Sequence, residues 1–192
     1  MADHVDQVLA QWAVRRPDLD VSPMAVIGRL SRLARLVDAE LRRTFTAHGL
    51  DAASFDVLAT LRRSDPPHSL TPAELMRSSM VTSGAITQRL DRLEARGLVS
   101  RSPSASDGRS VVVALTDDGR DLIDAALPDH VATEARLLAA LTEGERDALA
   151  TILGTLLESI GEETSGKAEK GEKTEKAGKA EKAGKAEKGG KA

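Results

Sequence analysis

Between Thr82 and Leu98 the chain reads TSGAITQRLDRLEARGL, and it continues as VSRSPSASDGRSVVVALTDDG to Gly119. Thr82 or Ser83 offers a side-chain oxygen to cap a helix, and Gly97 supplies the residue that ends one. At about 100° per residue Ile86, Leu90 and Leu93 share one side, which must face a core. Gly84, Gln88 and Asp91 point almost opposite, with Thr87 and Arg92 to either side. Just upstream, Thr71-Pro72-Ala73-Glu74 is a capping box with proline at the first helical position, so a short helix runs from there to about Ser78. Two helices joined by a tight turn, the second longer, predict a helix-turn-helix. Leu98-Val99 and Arg109 to Leu115 are β-branched runs flanking SPSASDG, which predicts a β-hairpin wing. Thr116-Asp117-Asp118-Gly119 then caps a further helix and places acids in its first turn.

The flanks are helical too. Val5, Leu9 and Trp12 form the stripe of a first helix that stops before Pro17. Ser22-Pro23 opens a long helix to about His48, with Ile27, Leu30, Ala34, Val37, Leu41 and Phe45 on one stripe and Gly49 closing it. A helix from about Ala52 to Arg63 carries Phe55, Leu58 and Leu61, and the turn SDPPHS follows. Leu141-Thr142-Glu143-Gly144-Glu145 repeats the capping-box logic before Leu149, Ile152, Leu153, Leu156, Leu157 and Ile160. The expected fold is mainly α: a winged helix-turn-helix with a small antiparallel hairpin, plus N- and C-terminal dimerisation helices. The helices from Ser22 to His48 and from Leu141 to Ile160 carry more apolar surface than one winged helix covers, so a homodimer is expected. The predicted divisions are an additional N-terminal helix (1–21), a core helix (22–50), the DNA-binding region (51–118), C-terminal dimerisation helices (119–162) and a tail (163–192).

Composition narrows the function. The formal net charge of −3 conceals a body of −6, whose cations are all arginine, and a tail of +3, whose cations are all lysine. In the tail lysine recurs at every third position without any apolar residue larger than alanine, a pattern expected to stay disordered. Cysteine is absent, which removes disulfides, thiolate catalysis and cysteine-ligated zinc. No apolar run approaches the roughly 18 residues of a membrane span, and MADHVDQVLAQW carries acids where a signal peptide carries lysines. A cytoplasmic protein without membrane contact is expected. His4, His48, His68 and His130 make no ligand spacing, no glycine-rich phosphate loop follows a strand, and Asp117-Asp118 serves a helix start. An enzyme is not expected, and no cofactor or metal is called for.

A polar strip that starts at a helix N-terminus suits a DNA major groove, where glutamine pairs with adenine edges and arginine with guanine or phosphate. Thr82, Ser83, Thr87, Gln88 and Arg92 are the candidates. Such a strip on an isolated helix is more often a solvated face; the preceding helix and following wing reverse that preference. Arg109, in the wing, is either a solvated turn residue or a probe of the narrow minor groove. Arg89 lies at the edge of the apolar stripe, so its guanidinium is expected to be half-buried and to need an anionic partner.

The run from Pro72 through this helix, with Asp107-Gly108-Arg109, Leu115-Thr116 and Gly119 at their spacing, resembles the MarR (multiple-antibiotic-resistance regulator) family of winged-helix transcription factors over about residues 24–160. The segment QWAVRRPDLDVSPMAVIGRL resembles the branch containing the urate-responsive regulator PecS and the trans-aconitate methyltransferase regulator, whose members carry an additional first helix with a tryptophan. The resemblance implies that Arg109 enters a groove with Asp107 holding its orientation. It also implies that Trp12, Asp56 and Arg89 surround a small anionic ligand; the plain alternatives are a core tryptophan and a structural salt bridge. The urate pattern includes an asparagine near the end of the Asp-bearing helix. This chain has no asparagine and offers Ser64 there, so citrate and trans-aconitate stand beside urate as expected effectors. The sum is a homodimeric, ligand-responsive regulator, expected to repress from a palindromic operator in double-stranded DNA. The lysine-rich tail supports a rival reading, a nucleoid-associated protein that binds phosphates without reading bases.

Overall fold

The computed structural model describes residues 2–66, 68–79, 86–104 and 110–161. Among the described residues the first unit, which ends at Leu137, runs α1 (His4–Arg15), α2 (Ser22–Ala47), α3 (Ala52–Arg63), β1 (Ser69–Leu70), α4 (Pro72–Ser78), α5 (Ile86–Ala95), β2 (Val99–Pro103), β3 (Val111–Leu115) and α6 (Asp117–Leu137). The second unit, from Leu138, holds the helix α7 over 143–161. Among the described residues no helix is long and apolar enough to cross a membrane.

The local chemistry that starts and stops each helix is visible. Asp3 accepts from the backbone N–H groups of Val5 and Asp6 while the Asp6 carboxylate accepts from Asp3 N, a reciprocal cap on α1. Arg29 of α2 donates to both carboxylates, at 2.8 Å and 2.6 Å, and pins α1 to α2. Thr71 and Glu74 close the expected capping box on α4, and Thr142 and Glu145 close the one on α7. α2 and α5 end alike. Gly49 and Gly97 sit at φ +65° and +70°, and the next residue's N–H returns to the helix, Leu50 to Phe45 O and Leu98 to Leu93 O. Leu50 is buried with Phe45, and Leu98 with Leu93, so each turn folds an apolar residue back onto its own helix.

The core lies where α3 crosses the other elements: Val57, Leu58 and Leu61 are fully buried with Leu75, Leu90, Leu93, Val113 and Ile123. Phe45, Phe55 and His130 form one aromatic cluster, with centroids 4.4 Å apart for the two phenylalanines, 4.7 Å from Phe55 to His130 and 5.5 Å from Phe45 to His130, joining α2, α3 and α6. Thr44 to Thr133 (2.8 Å) and Arg136 to Glu40 (3.1 Å) continue that seam along α2 and α6.

The sheet departs from expectation in two places. It has three strands, in the order β1-β3-β2, all antiparallel, and β1 lies outside the wing. Ser69 pairs with Ala114 and Leu70 with Val113, an alignment set by the free edge of β3 rather than by any pattern in two residues. His68, just before it, takes φ 56° and bends the chain into that edge. β2 also runs past Val99 into what reads as loop, with Ser102 opposite Val112 and Pro103 opposite Val111. It is an edge strand, where a proline lacking an N–H is tolerated.

α6 begins hard against the end of α5. A side chain at Gly119 would place its Cβ 1.9 Å from the Leu98 carbonyl oxygen and 2.9 Å from its carbon. Backbone cannot yield as a flexible side chain does. Gly119→Ala is therefore expected to force α6 off Leu98 and to lower unfolding free energy by about 1–3 kcal/mol, the usual cost of overpacking, read by urea denaturation.

Candidate nucleic-acid interface

α5 presents four distinct faces, each with its own neighbour. Ile86, Leu90 and Leu93 are buried in the core. Gln88 and Arg92 are exposed on the far side, and Thr87 is exposed beside them. Arg89, on the edge between core and solvent, is half-buried as its position implied. The fourth face turns to the wing. There Arg101 of β2 reaches across to Asp91 at 2.7 Å, to Glu94 at 3.1 Å and to the Thr87 carbonyl at 3.4 Å.

Asp91 therefore does not belong to the open strip with Gln88; it is tied to the wing strand. The β-branched run that predicts this strand ends at Val99, so Arg101 carries no strand signal of its own. Once β2 is extended, two-residue alternation puts Arg101 on the same side as buried Val99, facing α5. Thr82, Ser83, Asp107 and Arg109, the other DNA candidates, lie outside the described residues.

On the opposite flank the charge of Arg89 acts on Asp51, the N-cap of α3. Burial works to raise the Asp51 carboxyl. The Ser54 N–H, at 2.6 Å, and hydroxyl, together with the Arg89 charge, outweigh it and hold the group below the usual carboxylate range. Asp56 sits half-buried on the same helix, and it too has interaction partners. Trp12 stands apart on α1, 41% exposed, on a helix whose main neighbour is α2. The two cavities beside that helix, of about 430 and 540 Å³, are lined by other residues, among them Val5 and Leu9 in the first and Leu9 and Pro17 in the second. The expected ligand group is Trp12, Asp56 and Arg89; the charge of Arg89 acts on Asp51, and Trp12 lines neither of these cavities.

Residues 48–110 match the MarR family model. The chain is 42% identical over 150 residues to the transcriptional regulator PecS of Dickeya dadantii, covering 78% of this chain and 90% of that one. It belongs to the MarR family. A MarR family regulator of Streptomyces coelicolor solved in complex with DNA superposes with a TM-score of 0.67 at 25% identity, over 73% of this chain and 89% of that one. Bordetella bronchiseptica BpsR, whose DNA binding is regulated by 6-hydroxynicotinic acid, superposes with a TM-score of 0.62 at 27% identity, over 68% and 91%. The chain is therefore a winged-helix transcriptional regulator.

The Asp51 carboxyl carries a testable sign. A carboxyl held below its unfolded value stabilises the fold above the ordinary carboxylate range, and that contribution disappears as pH falls through the lowered value. Asp51→Asn is expected to flatten the acid limb of the stability–pH curve below about pH 5. Thermal melts of both proteins across that range check it; an unchanged slope would mean that Asp51 is not perturbed.

Proposed function

We propose that the protein is a homodimeric repressor that reads a near-palindromic operator through α5 and leaves it when a small organic anion binds. The observation that carries this reading is the segregation of α5: a buried apolar face, a clamped wing face, and an open face bearing Gln88 and Arg92, with exposed Thr87 at the border of the two. A face so arranged has directional donors held on a rigid support, which is what recognition of base edges in a major groove requires.

Dimerisation is supported by apolar surface that a monomer leaves wet. On α2 Val26, Leu30, Leu33 and Leu36 are exposed, and on α7 Ile152, Leu157 and Ile160. Such surface favours a twin related by a two-fold axis, which sets half-sites about 10–10.5 bp apart. The effector part of the proposal rests on Arg89, a half-buried cation whose charge acts on the N-cap of α3. An anion that took Arg89 would compete with carboxylates of α3 and shift α5 against that helix. Trans-aconitate, citrate and urate are the compounds to try, and Trp12, as the chain's single tryptophan, is the fluorescent reporter.

Binding-site selection followed by titration of operator and random duplex tests the DNA reading. A regulator shows a specificity ratio of about 10³ or more, whereas comparable affinities would favour a nucleoid-type protein. Gln88→Ala should lose discrimination at one base position by roughly 1–3 kcal/mol, and Arg92→Ala should weaken all duplexes more evenly. Identical base preferences for Gln88→Ala and wild type would reject direct reading by Gln88.

The effector is tested by release of the operator complex. An anion coupled to DNA binding should weaken it about 5–150-fold. Folded Arg89→Ala should lose that response, after allowance for its own change in DNA affinity. Equal release of both proteins by the same anion would reject Arg89 as the anion's partner.

A further inference from the structure

The guanidinium of Arg101 spends its contacts on one neighbour. Its Nη1 reaches Asp91 Oδ1 at 2.7 Å and Glu94 Oε2 at 3.1 Å, its Nη2 lies 3.4 Å from the Thr87 carbonyl oxygen, and the side chain is only 27% exposed. Thr87, Asp91 and Glu94 follow the i, i+4, i+7 spacing of one helical stripe, roughly a quarter turn from the core stripe and a quarter turn from Gln88. The arginine stands on β2 opposite Val113, which is fully buried, so its anchor lies where the wing meets the core.

We infer that Arg101 is a positioning residue for operator reading: by gripping Asp91 and Glu94 it fixes the rotation of α5 about its own axis, and so the placement of Gln88 and Arg92. The inference rests on the operator-reading role proposed above. Apolar packing of Leu90 and Leu93 holds α5 against the core, but it is non-directional and tolerates small rotations. Two directional ion pairs from one nitrogen, with the second nitrogen beside the Thr87 carbonyl, do not. The lever is short and steep. A side-chain tip about 6 Å from the helix axis moves by about 2 Å for a rotation of roughly 20°, enough to break hydrogen bonds whose useful range spans about half an ångström. Phosphate contacts, spread over flexible cations, survive such a rotation. Arg101 thus governs the ratio of operator to random affinity more than affinity itself, and its guanidinium also offsets acid charge on the helix that must approach phosphates.

The full-length protein tests this with Arg101→Met, with Asp91→Ala/Glu94→Ala and with all three substitutions combined. Each is titrated against the selected operator and a random duplex over a range of salt, and melting temperatures check that each folds. Arg101→Met and the acid-free variant are each expected to lower the operator-to-random ratio about tenfold or more, as for one lost base contact, with random-duplex affinity little changed. The combined variant should be no worse than Arg101→Met, because both ends of one tie are removed. Additive losses would overturn the inference, since Arg101 would then act on DNA itself. So would a drop of about 1 in the salt slope shared by both duplexes, the mark of a phosphate contact. An unchanged ratio in folded Arg101→Met would overturn it as well. If Arg101→Met does not fold, the acid-free variant decides: a wild-type ratio in that folded protein would overturn the tie. A wild-type protein that selects no operator would instead remove the operator-reading role, an outcome distinct from all of these.

Discussion

α5, the wing and α6 meet at one backbone atom, the carbonyl oxygen of Leu98. It accepts from Thr116 N at 3.2 Å, and α6 can start beside it only because Gly119 has no side chain. Thr116 locks the same corner from its other side: its hydroxyl donates to the Gly97 carbonyl at 2.6 Å and accepts from Gly119 N at 3.0 Å. The end of α5, the root of the hairpin and the first turn of α6 are therefore one joint rather than three elements linked by loops. Because α6 is stitched to α2 by the Thr44–Thr133 and Arg136–Glu40 contacts, any displacement of α5 is felt along that pair. A loop in place of this joint would absorb the displacement and leave α5 uncoupled from the long helices.

What could be read in the sequence was whatever local chemistry decides. The boxes at Thr71–Glu74 and Thr142–Glu145, the glycines that end α2 and α5, and the cap at Thr116 each satisfy backbone groups within a few residues, so their spacing alone announces them. Helical period likewise separated buried Leu90 and Leu93 from exposed Gln88 and Arg92. The misses share a cause of the opposite kind. β1 has two residues and takes its alignment from Val113 and Ala114, more than forty positions away, so no periodicity could show it. The far half of β2 was concealed by Ser102 and Pro103, residues that belong to loops unless an edge strand spares them. With that half went Arg101, and with Arg101 the true neighbour of Asp91. The influence of Arg89 on Asp51 is lost in the same way, because a helix cap is visible locally whereas the charge facing it is not.

Charge raises a different question, since a body of net charge −6 is an unpromising partner for DNA. Screening resolves it. At physiological salt the Debye length is about 8 Å, so acids on remote faces barely act on phosphates, and the cations near the groove decide the approach. Several arginines are not available for that purpose. Arg29 holds α1, Arg62 pairs with Asp124 of α6 at 2.7 Å, Arg63 donates to the Ser78 carbonyl at the end of α4 at 2.7 Å, and Arg101 grips α5. Arginine suits these ties because its fork spans two acceptors and its charge does not titrate away.

The distribution of those ties bears on how a regulator of this build could be switched. α3 is bound to α4 through Arg63, to α6 through Arg62 and to the core through fully buried Val57, Leu58 and Leu61, while the wing is bound to α5 through Arg101. A body tied at so many points does not bend gradually; it moves as a whole or stays in place. Arg89 is the exception. Its charge acts on the start of α3, and its side chain is only half-buried. Under the proposed role, an anion there spends its binding free energy on rotating one helix against another rather than on unfolding a core. Because α5 is joined to α6 at Leu98, that rotation is delivered to the long helices, and through them to the spacing of two half-sites that a rigid duplex holds fixed.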